Sequence, residues 1–162
     1  MKIGIITFHN SYNCGSMLES YAIQTAVHKL GYEAEIVNFS SEGQKELYAT
    51  RFKNDSIKNI IKNILTMPVI SKIERNNQKY EEFKKRNFVL SKEYTKGSEI
   101  SEDGYKAVIA GSDQIWNITI KDYDDAYFLP WVKKAKKIAY TPSLVQKKYL
   151  SIQMIKKNIV II

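Results

Sequence analysis

The sequence predicts an α/β protein built on a Rossmann-like open parallel sheet with helices on both faces. Short apolar runs at residues 2–8, 34–39, 105–110 and 137–141 have the length and composition of buried strands. The first two runs enclose an amphipathic helical pattern, so together they form a strand–helix–strand unit. Two of the four runs lead directly into clusters of polar residues, as is typical where strands of such sheets end at a ligand site.

The first unit carries the strongest local signals. A strand over Lys2–Phe8 enters a polar loop, and a helix is expected to begin at Ser16, because Ser16 and Glu19 have the spacing of a capping box. Gly31 is expected to end the helix in a left-handed conformation. The stripe predicted to face the sheet recurs every four residues, at Leu18, Ala22, Ala26 and Leu30, and Tyr21, Ile23 and Val27 widen it.

The middle of the chain is predicted to be helical and polar. Residues 40–54 are interpreted as an irregular loop. Isoleucines at helical spacing predict a helix over 57–65, which Pro68 ends. A longer helix over 70–88 has few apolar residues and is expected to lie on the outside of the domain, and residues 92–104 are interpreted as a loop or a marginal strand.

The last third returns to the strand pattern. A third buried strand is predicted over 105–110 and a fourth over 137–141, with an acidic and aromatic turn segment at 122–131 between them. A basic amphipathic helix over 146–157 and a fifth strand over 158–162 follow. Because the sequence stops on four apolar residues inside a strand, we expect residues 1–162 to be a single Rossmann-like domain of a truncated chain, with a C-terminal lobe absent.

Composition excludes several classes of protein. The 44% hydrophobic and 12% aromatic content predicts a globular domain. The single cysteine, Cys14, excludes an internal disulfide framework, and no leader or membrane span is recognisable, so a cytoplasmic location is expected. No His, Cys, Asp or Glu residues have metal-ligand spacing, so no metal is expected.

The formal charge of +8 is unevenly distributed. Residues 51–90 carry ten Lys or Arg against four Asp or Glu, residues 131–162 carry eight Lys and no acid, and residues 101–130 have a net charge of −4. Such basic segments suit an anionic membrane, nucleic acid or an anionic substrate, although a solvated lysine-rich surface is the commoner explanation. Because no RNA-binding motif or helix–turn–helix pattern accompanies the charge, no nucleic-acid partner is expected.

Two polar clusters, at residues 9–15 and 111–117, follow predicted strands. The carboxyl ends of parallel strands meet at one edge of a sheet, so both clusters are expected to face one crevice, where the first helix also offers free N–H groups to an anion. The residues predicted to bind substrate there are Asn10, Asn13, Gly15, Ser16, Gly111, Ser112, Gln114 and Trp116.

Chemical roles at this crevice remain open. His9 is either a general acid/base or a loop residue that hydrogen-bonds to backbone, and Asp113 either orients an acceptor hydroxyl or caps a turn. Trp116 either stacks on a sugar ring or packs over the sheet edge. Cys14 is interpreted as a loop side chain rather than a nucleophile. Neither a dinucleotide-binding fingerprint nor a P-loop is present.

Four motifs in the same order resemble the polysaccharide pyruvyl transferase family. The first is Phe8-His9-Asn10 followed by Asn13, Gly15-Ser16 and Leu18, with Tyr21-Ala22, Gln24 and Gly31-Tyr32 after it. The second is Ala110-Gly111-Ser112-Asp113-Gln114-Ile115-Trp116-Asn117. Tyr127-Phe128-Leu129 and Lys137-Ile138-Ala139-Tyr140 complete the resemblance, which covers residues 1 to about 143.

The resemblance implies a transferase with two facing Rossmann-like domains, of which this chain supplies the N-terminal lobe. Such enzymes move a pyruvyl group from phosphoenolpyruvate, a co-substrate rather than a cofactor, to a sugar hydroxyl of a cell-wall or exopolysaccharide precursor. A glycan or lipid-linked sugar acceptor, a peripheral location at the inner membrane face and self-association through an exposed lobe interface are therefore expected. The alternatives are an inactive remnant or glycan-binding module, or a lobe of a sugar-nucleotide glycosyltransferase.

Overall fold

The computed structural model describes residues 1–142 and 160–161, and it confirms the predicted fold class. A six-stranded sheet has the order β3-β2-β1-β4-β5-β6, and every neighbouring pair is parallel. The strands are β1 (Lys2–Ile6), β2 (Glu33–Phe39), β3 (Leu90–Tyr94), β4 (Tyr105–Gly111), β5 (Lys136–Tyr140) and β6 (Val160–Ile161). The helices are α1 (Cys14–Lys29), α2 (Glu42–Leu47), α3 (Ile57–Thr66) and α4 (Ile70–Asn87).

Short 3-10 helices complete the connections at Met67–Val69, Gly97–Glu99 and Asp125–Phe128. The predicted helix at 146–157 lies outside the described residues, and the fifth predicted strand is represented by β6, which pairs with β5. The predicted ends of α1 and α3 are confirmed. Gly31 has φ +84° directly after α1, and Pro68 lies just beyond the end of α3.

The predicted start of α1 is wrong. The helix begins at Cys14, and its N-cap is Asn13, whose extended backbone (φ −130°, ψ 127°) lets the side-chain Oδ1 accept a hydrogen bond of 2.8 Å from the Gly15 N–H. The expected capping box therefore does not form, because Ser16 lies inside the first turn. An Asn two residues before a Gly was the better cap, since its side chain accepts one of the free N–H groups of the first turn.

The predicted buried face of α1 is only partly correct, because Ile23 and Val27 are buried as predicted whereas the four-residue stripe is not. Leu18 and Leu30 are 57% and 73% exposed, and Ala22 and Ala26 are exposed as well. The face against the sheet instead contains Ser16, Met17, Ser20, Ile23, Gln24 and Val27. The polar side chains of this face have hydrogen-bond partners. Gln24 Nε2 donates to the Val89 carbonyl (2.9 Å), and its Oε1 accepts from the Val89 N–H (3.2 Å). Small and polar residues thus occupy the buried face because the neighbouring backbone supplies their hydrogen-bond partners.

One further segment differs from expectation, and a second takes one of its two predicted forms. Residues 40–54 contain α2, which begins because the Ser41 Oγ accepts the Gln44 N–H at 3.0 Å. The segment interpreted as a loop or marginal strand contains β3, which pairs with β2 at the edge of the sheet. Both segments are rich in polar residues, because an edge strand and a six-residue helix bury few side chains. They therefore lack a clear hydrophobic periodicity in the sequence.

Two apolar layers cover the sheet. On one side, α1 and the end of α4 pack on β1 and β2 through a cluster that includes Ile5, Val27, Ile36 and Phe88. The other side is filled mainly by the segment after β4, whose Trp116, Tyr127 and Phe128 are almost fully buried against Ile6, Val37, Phe39 and Val108. This aromatic layer holds the carboxyl end of β4 in place, because burial of rings of this size supplies a large share of core stability.

Candidate functional site

The site lies at the carboxyl edge of the sheet, where the strand order reverses. The chain passes from β1 to β2 on one side, whereas β4 pairs with β1 on the other. Loops leaving β1 and β4 therefore diverge from neighbouring strands and leave a crevice between them, which is the usual ligand position in open α/β sheets. Both polar clusters predicted from the sequence reach this edge.

A hydrogen bond closes the crevice. The Ser16 hydroxyl, on the first turn of α1, donates to the Asp113 carboxylate in the loop after β4. The other oxygen of Asp113 accepts the Gln114 N–H at 2.7 Å. The carboxylate thus lies beside the N-terminal turn of α1, which favours negative charge. The position expected to attract an anionic ligand is consequently occupied, at least in part, by an acidic side chain of the protein itself.

A cleft of about 330 Å³ lies at the same edge of the sheet, and neither Ser16 nor Asp113 lines it. Its wall joins the ends of β1, β2 and β3 to α2 and α4. Amide, hydroxyl and phenol groups predominate, with two lysines and two glutamates among them: Asn10, Tyr12, Asn38, Ser40, Gln44, Lys45, Tyr48, Glu81, Lys84, Glu93 and Tyr94. Such a lining provides many hydrogen-bond donors and acceptors at short spacing, which suits a polyhydroxylated ligand.

Asn10 is held in this wall from two directions. Its Nδ2 donates to the Ser40 Oγ at 2.7 Å, and its Oδ1 accepts from the Lys84 ammonium at 2.5 Å. Lys84 also forms an ion pair of 2.7 Å with Glu81, one turn earlier on α4. The charge of Lys84 is therefore already compensated inside the cleft, so the wall presents polar groups with little net charge.

The tyrosines of the cleft form an aromatic cluster. The ring of Tyr12 stacks on Tyr80 (5.6 Å between centroids) and meets Tyr48 edge to face at 5.8 Å. Burial and the hydrogen bond to Glu81 raise the pKa of Tyr12 to about 12, so its hydroxyl is a donor at neutral pH. Burial raises the pKa of Tyr48, and the charges of Asp122 and Asp113 add to the rise, which places Asp113 within electrostatic range of the cleft.

His9 is part of the scaffold. It is fully buried, with Nδ1 3.3 Å from the Thr7 carbonyl oxygen and Nε2 3.1 Å from the Asn38 Oδ1. Burial lowers its pKa to about 4. The imidazole is therefore neutral at physiological pH and fixes the ends of β1 and β2 relative to each other. Of the two interpretations of His9, the structure favours the loop residue that hydrogen-bonds to backbone.

The remaining predicted residues divide between the crevice and the core. Gln114 is exposed at the crevice, and Asn13 and Gly15 form the cap of α1. Ser112 is 8% exposed. Trp116 is 2% exposed, donates from Nε1 to the Tyr127 carbonyl (2.9 Å) and stacks on Phe128, so its ring offers no face to a sugar. The substrate-binding role predicted for Trp116 is therefore replaced by core packing.

Gly111 acts through its backbone. It has φ +129°, and a Cβ placed there would lie 2.0 Å from the Tyr140 carbonyl oxygen. Only glycine allows β4 to pass β5 this closely while turning into the loop that carries Asp113. In this structure the close neighbour of Gly111 is therefore β5, and its role in substrate binding stays a prediction.

Sequence analysis missed the residues that α4 and α2 bring to the cleft: Tyr48, Glu81 and Lys84. The Glu81–Lys84 spacing was visible as an ion-pair pattern on a helix, but nothing in it linked α4 to the loop after β1. Among the described residues, no group of three or more His, Cys, Asp or Glu side chains is arranged to hold a metal ion. No helix within residues 1–142 and 160–161 is long and apolar enough to cross a bilayer.

The fold is an open α/β domain with a polar cleft at the carboxyl ends of β1, β2 and β3. The family model for polysaccharide pyruvyl transferase matches residues 13–158, which is most of the chain, and the chain belongs to that family. The match includes α1, the β4 loop with Asp113, and the cleft residues from Asn38 to Lys84. Comparison with curated proteins finds no match, and comparison with solved structures finds none either.

Proposed function

We propose that this chain is the acceptor-binding part of a pyruvyl transferase that uses phosphoenolpyruvate and a sugar hydroxyl of a cell-wall or exopolysaccharide precursor, at the cytoplasmic side of the membrane. The observation that carries the proposal is the position of Asp113. Its carboxylate is fixed by Ser16 and by the Gln114 N–H at the switch point, at the same sheet edge as a cleft lined mostly by amide, hydroxyl and phenol groups. A fixed carboxylate at the same edge as such a cleft suits activation of a hydroxyl.

The cleft suits the sugar better than phosphoenolpyruvate. Lys84 is paired with Glu81, and Glu93 also lines the wall, so the cleft lacks the excess positive charge that a multiply charged phosphate ester and carboxylate require. Asn10, Ser40 and Tyr12 offer amide and hydroxyl groups of the kind that bind sugar hydroxyls. The exposed Gln114 side chain lies at the rim beside Asp113.

The chemistry assigns a definite task to Asp113. An acceptor hydroxyl oxygen bonds to C2 of phosphoenolpyruvate and its proton passes to the carboxylate, while C3 gains a proton from a donor and becomes a methyl group. A second hydroxyl then bonds to C2, phosphate leaves, and the proton of that hydroxyl departs with it. Each carboxylate oxygen of Asp113 retains acceptor capacity beyond its one hydrogen bond, so the base is available without losing its position.

The test uses the full chain with phosphoenolpyruvate and a panel of free and lipid-linked sugars. Phosphate release is followed together with mass spectrometry of the acceptor for the pyruvate ketal. Asp113→Asn is expected to lower the turnover number on the order of 100-fold or more, as for loss of a general base. Asp103→Asn is the matched control, because Asp103 accepts a hydrogen bond from Ser101 in an exposed turn before β4.

Three results would contradict the proposal. These are full activity of Asp113→Asn, an equal loss in Asp103→Asn, and the absence of binding of every acceptor sugar. Release of a nucleoside diphosphate from a sugar nucleotide would instead support a glycosyltransferase lobe. Saturable glycan binding without any turnover would support a binding module.

A further inference from the structure

Helix α3 is amphipathic, yet its apolar side faces solvent. All five of its large apolar residues lie on one side of the helix and are between 42% and 78% exposed: Ile57, Ile60, Ile61, Ile64 and Leu65. Met67 and Val69 continue the surface beyond the helix and are 68% and 47% exposed. No residue of α3 is buried. If this apolar stripe packed in the domain core, it would be buried. Because it is exposed, it is available for another contact.

The polar side of α3 is the side tied to the domain. Asn63 Oδ1 accepts the Phe52 N–H at 2.9 Å, and Asn63 Nδ2 donates to the Phe52 carbonyl at 2.9 Å. The Lys62 ammonium lies 4.8 Å from the centre of the Phe52 ring. These contacts join the polar side of α3 to the loop before it, on the side away from the isoleucines.

All charged residues between positions 56 and 73, a range that contains α3 and Met67–Val69, are lysines. Between Asp55 and Glu74 the sequence contains no acidic residue, whereas Lys58, Lys62 and Lys72 are present and exposed. Lys58 and Lys62 are four residues apart, so they lie on the same margin of the apolar stripe. Long lysine side chains at such a margin extend their ammonium groups past a buried apolar face toward negative charge.

We propose that α3, with Met67–Val69, lies in the plane of an anionic lipid surface, with the isoleucines inserted among the acyl chains and the Lys58 ammonium on the headgroups. An apolar face with a basic margin on a helix of high amphipathicity is the physical signature of an interfacial helix. A second copy of the chain is the less suitable occupant. Apposed α3 surfaces would place the lysine margins of two copies near each other without an acid to compensate them. The inference goes beyond the transfer reaction and concerns where the protein works.

The experiment is flotation of the full chain with vesicles. Vesicles of equal parts phosphatidylglycerol and phosphatidylcholine are compared with vesicles of phosphatidylcholine alone, at low and at high salt. Binding is expected to the anionic vesicles and to weaken as salt rises, because screening reduces attraction to the headgroups. The double variant Ile61→Asn with Ile64→Asn is expected to weaken partitioning roughly 10- to 100-fold, because two apolar side chains leave the inserted face.

The control carries the same chemical change elsewhere. Leu30→Asn with Val89→Asn removes two side chains that are 73% and 51% exposed at positions remote from α3 in the sequence. This control is expected to bind vesicles as the wild type does. Thermal unfolding of both double variants verifies that each is folded. Since neither phosphoenolpyruvate nor a sugar is present, the outcome is independent of the proposed transfer.

Each alternative result is decisive. No binding to anionic vesicles overturns the proposal, and so does an equal loss in the Leu30 and Val89 control. Sedimentation equilibrium of the wild type supplies the remaining outcome. If the protein is a dimer that Ile61→Asn with Ile64→Asn dissociates, the surface is an interface between copies and the membrane assignment is wrong.

Discussion

Ser16 and Asp113 are 97 positions apart in sequence, yet the Ser16 hydroxyl donates directly to the Asp113 carboxylate. The bond joins the first turn of α1 to the loop after β4, across the point where the strand order reverses. Ser16 is 8% exposed, so the pair is sheltered from water on one side. The bond therefore joins the two sides of the crevice.

A double-mutant cycle measures this contact. Ser16→Ala is expected to lower the free energy of unfolding by about 1–2 kcal/mol, because a hydrogen bond to a charged group is lost. Combining it with Asp113→Asn is expected to reveal a coupling energy of about 1 kcal/mol in urea unfolding. The pair Ser101 and Asp103, which forms an exposed hydrogen bond of 2.6 Å, serves as the control. A coupling of Ser16 and Asp113 no larger than that of the control would contradict the structure.

The stability of the protein is expected to fall as the pH decreases from 6.5 toward 4. Burial lowers the pKa of His9 from 6.5 to about 4, so in this range the unfolded chain binds a proton that the folded protein does not. The His9 contribution is complete above pH 6.5 and is lost as the pH falls, by about 3 kcal/mol in total.

Urea unfolding at a series of pH values tests this expectation by comparing wild type with His9→Gln. The variant is expected to lack the part of the slope that comes from His9. His28→Gln removes the exposed histidine of α1 and is expected to keep the fall. An unchanged slope in His9→Gln would mean that the imidazole is not buried in its neutral form.

Gly111→Ala is expected to lower the free energy of unfolding by about 3 kcal/mol or more, because an added Cβ meets the Tyr140 carbonyl oxygen at 2.0 Å in addition to the unfavourable positive φ. Gly31→Ala is the control, since Gly31 has φ +84° but nothing within 4 Å of an added Cβ. It is expected to cost about 1 kcal/mol. Equal losses in the two variants, measured by denaturant unfolding, would show that β4 and β5 do not approach this closely.

Local chemistry made several features predictable. The apolar runs that became β1, β2, β4 and β5 are short and bounded by polar residues, a pattern that is buried on both faces of a sheet whatever its partners are. Gly31 and Pro68 marked helix ends because their backbone preferences act within a few residues. The second polar cluster was placed correctly at the end of β4, because a parallel sheet aligns the carboxyl ends of its strands.

The α1 errors have a common cause. Leu18, Ala22, Ala26 and Leu30 form a regular apolar stripe, and periodicity alone assigned it to the core. The folded protein buries Ser16 and Gln24 instead, since hydrogen-bond partners for them come from distant positions: Asp113 for Ser16 and Val89 for Gln24. Ser20 is buried as well, and its hydroxyl donates to the Ser16 carbonyl one turn earlier. A polar residue is recognisable as a core residue only when its partner is known, and that partner is invisible to a sequence window.

The sequence by itself determined the order of the strands along the chain, the family motifs and the two polar clusters, because these depend on residues close together in the chain. Only the tertiary structure decided which side of α1 is buried, that His9 is a neutral part of the scaffold, and that Lys84 and Glu81 of α4 complete the cleft beside Asn10. It also decided that the isoleucines of α3 face outward. Each of these results depends on contacts between distant segments, whose free energies are set by burial and pairing in the folded chain rather than by local preference.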